Sequence, residues 1–311
     1  MNQSQINRSL ACDQIRTLCE QEKLPQYMSS DYLSFADIMR ERDQRGPNSS
    51  EEPIDIQCRV RMVEWCFQVV DFAKLQRETV CTAISLLDRY LSSSCPEAKK
   101  VILSRKLYQL ASMSALFLAI KLCEKTVITA SVFADLSRGS YTSEDILRME
   151  SVILKSLEWR VHGPSSYDLL RYIIHLTSDK PQFGFASIPT FQDLCSFQLD
   201  LSIGDYFFCR EKPSVTVVAA ILNTLENNGN LPDSKSSGFL KEIFALTEVD
   251  ALSPEVQIAK ERLRRLLKSN GVEIEIPKSA TPIASRVLSP TTVTSLTHVI
   301  SNESMCDYSD C

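Results

Sequence analysis

Glycine is scarce in this chain, at 8 of 311 residues. Few stretches alternate apolar and polar residues, so the chain favours helices over sheet. There is no Cys-x-x-C pair among the 11 cysteines, and the N-terminal run MNQSQINRSLACDQ lacks the apolar core of a secretory signal. Free thiols in a reducing compartment fit this pattern better than disulfides. No apolar run reaches about 18 residues without a charge, so no membrane span is expected. Only three histidines occur, His162, His175 and His298. None has a metal-ligand spacing or a neighbouring nucleophile motif. A Walker loop, a G-x-G-x-x-G and a catalytic pair of acids are all missing. The chain is therefore not expected to be an enzyme or to hold a metal or cofactor. A net charge of −5 is too mild for nucleic-acid binding through the whole surface.

What the chain does have is helical periodicity, and 44% hydrophobic residues are enough for two cores of ordinary size. Ile56, Val60, Val63, Phe67 and Val70 recur in steps of four and three, which is one stripe of a helix, and Arg59 lies on it. In the next helix Val80, Ile84, Leu87 and Leu91 form the stripe, and Asp88 lies on that one. A buried charge is costly unless paired, so Arg59 and Asp88 are expected to pair across the helix junction.

Four regions follow from composition. Residues 1–52 are polar with a helix near Ile6 to Glu22, stopped by Pro25, and a short helix capped by Ser30 or Asp31. Residues 53–163 carry five helices: about Pro53 to Ala73, Arg77 to Ser92, one from Lys106, Thr129 to Leu136, and one capped by Thr142 or Ser143. A loop fills Ser92 to Pro96. The helix from Lys106 is apolar almost all round and belongs at the centre of a bundle. Its Ala111, Ala115 and Ala119 make one face of small side chains, where neighbours approach closely. Residues 164–270 again carry five helical segments, of which SVTVVAAILNTLE is the most apolar. This second block reads as a degenerate repeat of the first. The run KERLRRLLK from Lys260 reads as the solvated face of a last helix, with a nuclear import signal or a patch for an acidic partner as alternatives. Residues 271–311 are rich in Ser, Thr, Pro and Val without helical period, and a disordered tail is expected. Thr281 and Ser289 each precede a proline and are candidate phosphosites.

Several motifs together resemble the cyclin family. CRVRMVEW, Cys58 to Trp65, resembles the opening of the cyclin box. Glu78-Thr79 and LDRYLS, Leu87 to Ser92, follow. Lys106, Leu107, Gln109 and Leu110 open the central helix, with Tyr108 inserted, and Ala119 to Lys121 close it. Tyr141, Thr142, Ile146, Met149 and Glu150 match the next signature, and Leu157 and Trp159 the exit. Pro213 to Val215 with Ala219 and Ala220 resembles the second lobe.

The resemblance implies an all-α protein of two tandem five-helix cyclin-fold bundles. It implies a regulatory subunit of a cyclin-dependent kinase, acting in the cell cycle in nucleus and cytoplasm, with kinase substrates or inhibitors as further candidate partners. Arg59 and Asp88 would be the structural ion pair, and Leu110, with Ala115 and Ala119, would pack the core. Lys121 and Glu150, with Glu124 beside them, would contact the kinase. Glu150 sits on the apolar stripe of its helix, so an internal Lys121–Glu150 salt bridge is the alternative. Met62, Trp65, Gln68 and Gln109 fall where many cyclins dock Arg-x-Leu peptides, but Cys58 and Arg61 replace apolar residues and Gln68 replaces an acid. An ordinary buried face is an equal reading there. Cys123 stands where mitotic cyclins carry a second acid, which leans toward the D-type pattern. No Leu-x-Cys-x-Glu motif supports a D-type label. A transcription-associated cyclin, or a kinase-free cyclin-fold adaptor, is the alternative function.

Overall fold

The structure is a computed structural model that describes residues 3–42, 52–178, 188–227 and 233–271. Among them the chain forms α-helices and short 3-10 turns, with no strand. Helices α1 (Gln3–Gln21) and α2 (Tyr32–Arg42) lead in. The first lobe is built from α3 (Ile56–Phe72), α4 (Glu78–Leu91), α5 (Pro96–Ile102), α6 (Arg105–Cys123), α7 (Ala130–Leu136) and α8 (Ser143–Ser156). The second is built from α9 (Ser166–Ser178), α10 (Ile188–Gly204), α11 (Pro213–Asn227), α12 (Asp233–Thr247) and α13 (Pro254–Ser269).

Local chemistry sets where these helices begin. The Asp55 carboxylate accepts from the Cys58 amide at 2.8 Å and caps α3. Thr142 and Asp145 cap α8 reciprocally, each side chain bonding the other's backbone amide, so two orphan donors of the first turn are satisfied. Ser253 caps α13, with Pro254 at its first position, where the missing N–H costs nothing.

Each lobe wraps one apolar helix. In the first, α6 packs on α3, α4, α5, α7 and α8, and every residue from Leu110 to Ile120 is buried. By length and composition α6 could cross a membrane, yet 67% of its apolar window is inside the bundle. Ala111, Ala115 and Ala119 are at most 1% exposed. In the second lobe α11 packs on α9, α10 and α13, and Ser214 to Leu225 are all buried.

Three features differ from the sequence-based expectation. The loop placed at Ser92 to Pro96 runs straight into α5, which makes a sixth helix in the first lobe. Seven residues that begin with Pro96 carry too little periodicity to separate them from a loop. Ile56, placed on the core stripe of α3, is 49% exposed. The buried face is Cys58, Arg59, Met62, Val63, Cys66 and Val70, a stripe rotated toward Met62 and Cys66. Helix α1, grouped by sequence with the leading segment, packs on α9 and α12 of the second lobe. Its Arg8 donates to the Leu176 carbonyl at 3.2 Å and pairs with Glu242 at 3.1 Å. Glu22, just past its end, accepts from the Ser214 amide at 3.0 Å and from the Ser214 hydroxyl. A carboxylate thus sits on the positive N-terminal end of α11.

The basic run of α13 is mostly matched within the fold. Arg262 pairs with Asp205, Lys260 and Arg264 with Glu226, and Arg265 with Glu261. All nine cysteines among the described residues are free, and burial pushes the Cys66, Cys81 and Cys195 thiols up to about 12. Thr281, Ser289 and the rest of the expected tail lie outside the described residues.

Candidate partner-binding surface

Arg59 and Asp88 meet in the interior. Arg59 Nη2 lies 2.8 Å from Asp88 Oδ2, and both side chains are at most 6% exposed. Arg59 Nη1 donates to the Ile203 carbonyl of the second lobe at 2.8 Å, and the Tyr32 hydroxyl donates to Asp88 Oδ1 at 2.7 Å. Burial alone would lower the Arg59 guanidinium, but the Asp88 charge holds its pKa above the ordinary value. The pair therefore joins α2, α3, α4 and the end of α10 at one point. Periodicity pointed to the two charges; Tyr32 and Ile203 carried no signal in the sequence, because they lie 56 and 144 residues from their partners. A second polar junction between the lobes joins Arg77 to Asp200 at 2.9 Å and Arg171 to Glu78 at 2.6 Å.

Lys121 and Glu150 also come together. Lys121 ends the buried run of α6, and its ammonium pairs with the Glu150 carboxylate on α8. The same ammonium sits 4.5 Å from the centroid of the Phe117 ring, a favourable cation–π geometry. Glu150 is nearly buried at 8% while Lys121 is 41% exposed, so the pair has an inner acid and an outer base. Ser114, fully buried, donates to the Ile146 carbonyl at 3.2 Å and locks α6 to α8. Leu147, one turn before Glu150, is 48% exposed, and Trp159, just beyond the end of α8, is 69% exposed. Glu158 and Trp159 both have left-handed backbone, with φ 51° and 62°, an uncommon state for bulky side chains. Sequence reasoning passed over Leu147, whose only signal was a second apolar residue beside Ile146.

Glu124 is engaged elsewhere. Its Oε1 accepts from the Gln76 amide at 2.9 Å and the Thr79 hydroxyl at 2.6 Å. It ties the turn before α4 to the end of α6, while the Thr79 and Val80 amides donate to the Gln76 and Arg77 carbonyls. Leu110, Ala115 and Ala119 are core residues at 8%, 1% and 0% exposure. The proposed peptide-docking patch is largely closed. Met62 is buried, Trp65 is half-buried with its ring edge-on to Phe133, and Gln109 accepts from the Tyr141 hydroxyl at 2.9 Å. Gln68 alone of the four is exposed. No group of three or more metal-ligating side chains occurs among the described residues.

Residues 26–162 match the cyclin N-terminal domain. Over 173 residues the chain is 30% identical to Cyclin-B2-2 of Arabidopsis thaliana, covering 55% of this chain and 37% of that one. Over 177 residues it is 28% identical to G2/mitotic-specific cyclin-2 of Medicago sativa, covering 56% and 49%. The matched part thus spans about half or less of these plant relatives. Both carry B-type or mitotic names rather than the D-type name that Cys123 leaned toward. A solved viral cyclin from herpesvirus saimiri shares the fold with a TM-score of 0.56 at 15% identity, covering 80% of this chain and 97% of that one. The chain therefore carries a cyclin N-terminal domain over residues 26–162 and is similar to cyclins beyond it.

Proposed function

We propose that the chain is an activating regulatory subunit of a cyclin-dependent protein kinase, that it acts in cell-cycle progression, and that it does no chemistry itself. The observation that carries this reading is the Lys121–Glu150 pair, set between exposed apolar side chains on a rigid face of α6 and α8. A protein kinase is active only when its αC glutamate pairs with its β3 lysine and its activation loop is ordered. A stiff bundle that binds the active arrangement better shifts the kinase toward it. Leu147 and Trp159 supply apolar area for such a contact, and Lys121 supplies a directional donor. The relatives' mitotic names favour cell division over transcription.

The test isolates the tagged full chain from dividing cells, identifies any kinase that accompanies it, and assays that kinase with and without the purified chain. Stimulation of activity is expected. A co-isolated kinase whose activity is unchanged by the chain contradicts the reading. The same reading places the chain in nucleus and cytoplasm, which imaging of a fluorescent fusion checks.

A further inference from the structure

The turn between α3 and α4 is stapled to the loop after α6. Glu124 makes the staple by accepting from the Gln76 amide and the Thr79 hydroxyl. Close to it on both segments, large apolar side chains stand in water. Phe72, four residues before Gln76, is 89% exposed, and Val127, three residues after Glu124, is 90% exposed. They are the two most exposed large apolar side chains among the described residues, and each lies within four residues of a group in the Glu124 contact along the chain.

The charges around them are unbalanced. Asp71 is matched by Arg77 at 3.0 Å, Glu78 by Arg171 at 2.6 Å, and Glu124 by its two donors. Lys74 and Lys125 are exposed and form no ion pair among the described residues. Acids in this area are spent inside the fold, while two cations and two apolar side chains face outward. A second copy of the chain would bring lysines against lysines, and a basic segment would be repelled.

We propose that this surface docks an acidic segment of a partner protein that carries a large apolar side chain. The apolar side chain would cover Phe72 and Val127, and its flanking carboxylates would meet Lys74 and Lys125. Lys125 lies four residues beyond Lys121, so a segment bound here would lie beside any kinase seated on α6 and α8. The docking itself does not depend on the kinase reading.

The test uses the full chain and a random 12-residue peptide library displayed on phage, followed by fluorescence anisotropy on the enriched peptides. The variant combines Phe72→Ser, Lys74→Gly and Lys125→Gln. Lys74 has φ 54°, a conformation glycine adopts freely, so its replacement does not strain the turn, and thermal melting confirms the fold. Enriched peptides should be acidic with a large apolar residue, and the variant should weaken them by on the order of tenfold or more. Added salt should weaken the parent more than the variant. Peptides that are basic, absent, or bound equally by the variant would overturn the proposal. It would also be overturned if the variant kept its peptides but lost capture of a co-isolated kinase, which would assign the surface to the kinase contact.

Discussion

Arg59 shows how far single residues can be read. Its place on an apolar stripe required a buried partner, and Asp88 was the one acid on the facing stripe. The structure adds two further attachments, the Ile203 carbonyl and the Tyr32 hydroxyl, which no local pattern could reveal. Replacing Asp88 with Ala leaves a buried guanidinium without its counter-charge, a loss of about 3–5 kcal/mol. Urea unfolding of Asp88→Ala measures it, and a variant within about 0.5 kcal/mol of the parent would contradict the pair's structural weight. Glu22 makes the opposite kind of case. Burial pushes its carboxyl above the ordinary carboxylate range, against the Ser214 hydrogen bonds that pull it down. Its folded pKa lies above its unfolded one, so the folded chain holds the extra proton in the window between them. Stability is gained as pH falls into that window and lost as pH rises through it. Glu22→Gln keeps an acceptor for the Ser214 amide and removes the titration. The parent should therefore gain stability relative to Glu22→Gln as pH drops from 7 toward the raised pKa. A relative loss over that range would show that Glu22 is held as a stabilised carboxylate instead.

At the scale of helices, length and strength of period decided what could be read. α6 and α11 were legible because nearly every residue is apolar, and a helix apolar all round has to be central. α8 announced its start through Thr142 and its two following acids. α5 was hidden because two turns give no usable period. α1 was visible as a helix but not as part of the second lobe, since Arg8 and Glu242 are 234 residues apart. The alanine face of α6 makes a direct prediction. Ala115 is 1% exposed between packed helices, so Ala115→Leu forces three extra heavy-atom groups into filled space. A cost of about 1–3 kcal/mol is expected, read as a lower urea midpoint with an unchanged slope. A neutral result would mean that α6 is not packed closely along this face.

For the whole molecule, the two lobes are joined by one buried polar contact and two at the surface rather than by a linker alone. Arg59 reaches the end of α10, and Arg77 and Arg171 cross to Asp200 and Glu78. A second helical block could be read from spacing, although the first lobe has six helices and the second five, while the joints between them could not. A partner-facing role for Lys121 and Glu150 is proposed from family resemblance, and the structure shows their internal bridge. Charged groups whose hydrogen bonds are cut at an interface cost roughly 2–5 kcal/mol, or about 30-fold or more in affinity. The double change Lys121→Ala with Glu150→Ala removes both charges together and leaves no orphan inside the lobe. The decisive measurement is the affinity of that double variant for the co-isolated kinase, with its melting temperature recorded on the same sample. A loss of about 30-fold or more with melting close to the parent is the predicted result, and kinase affinity equal to the parent's would contradict the account.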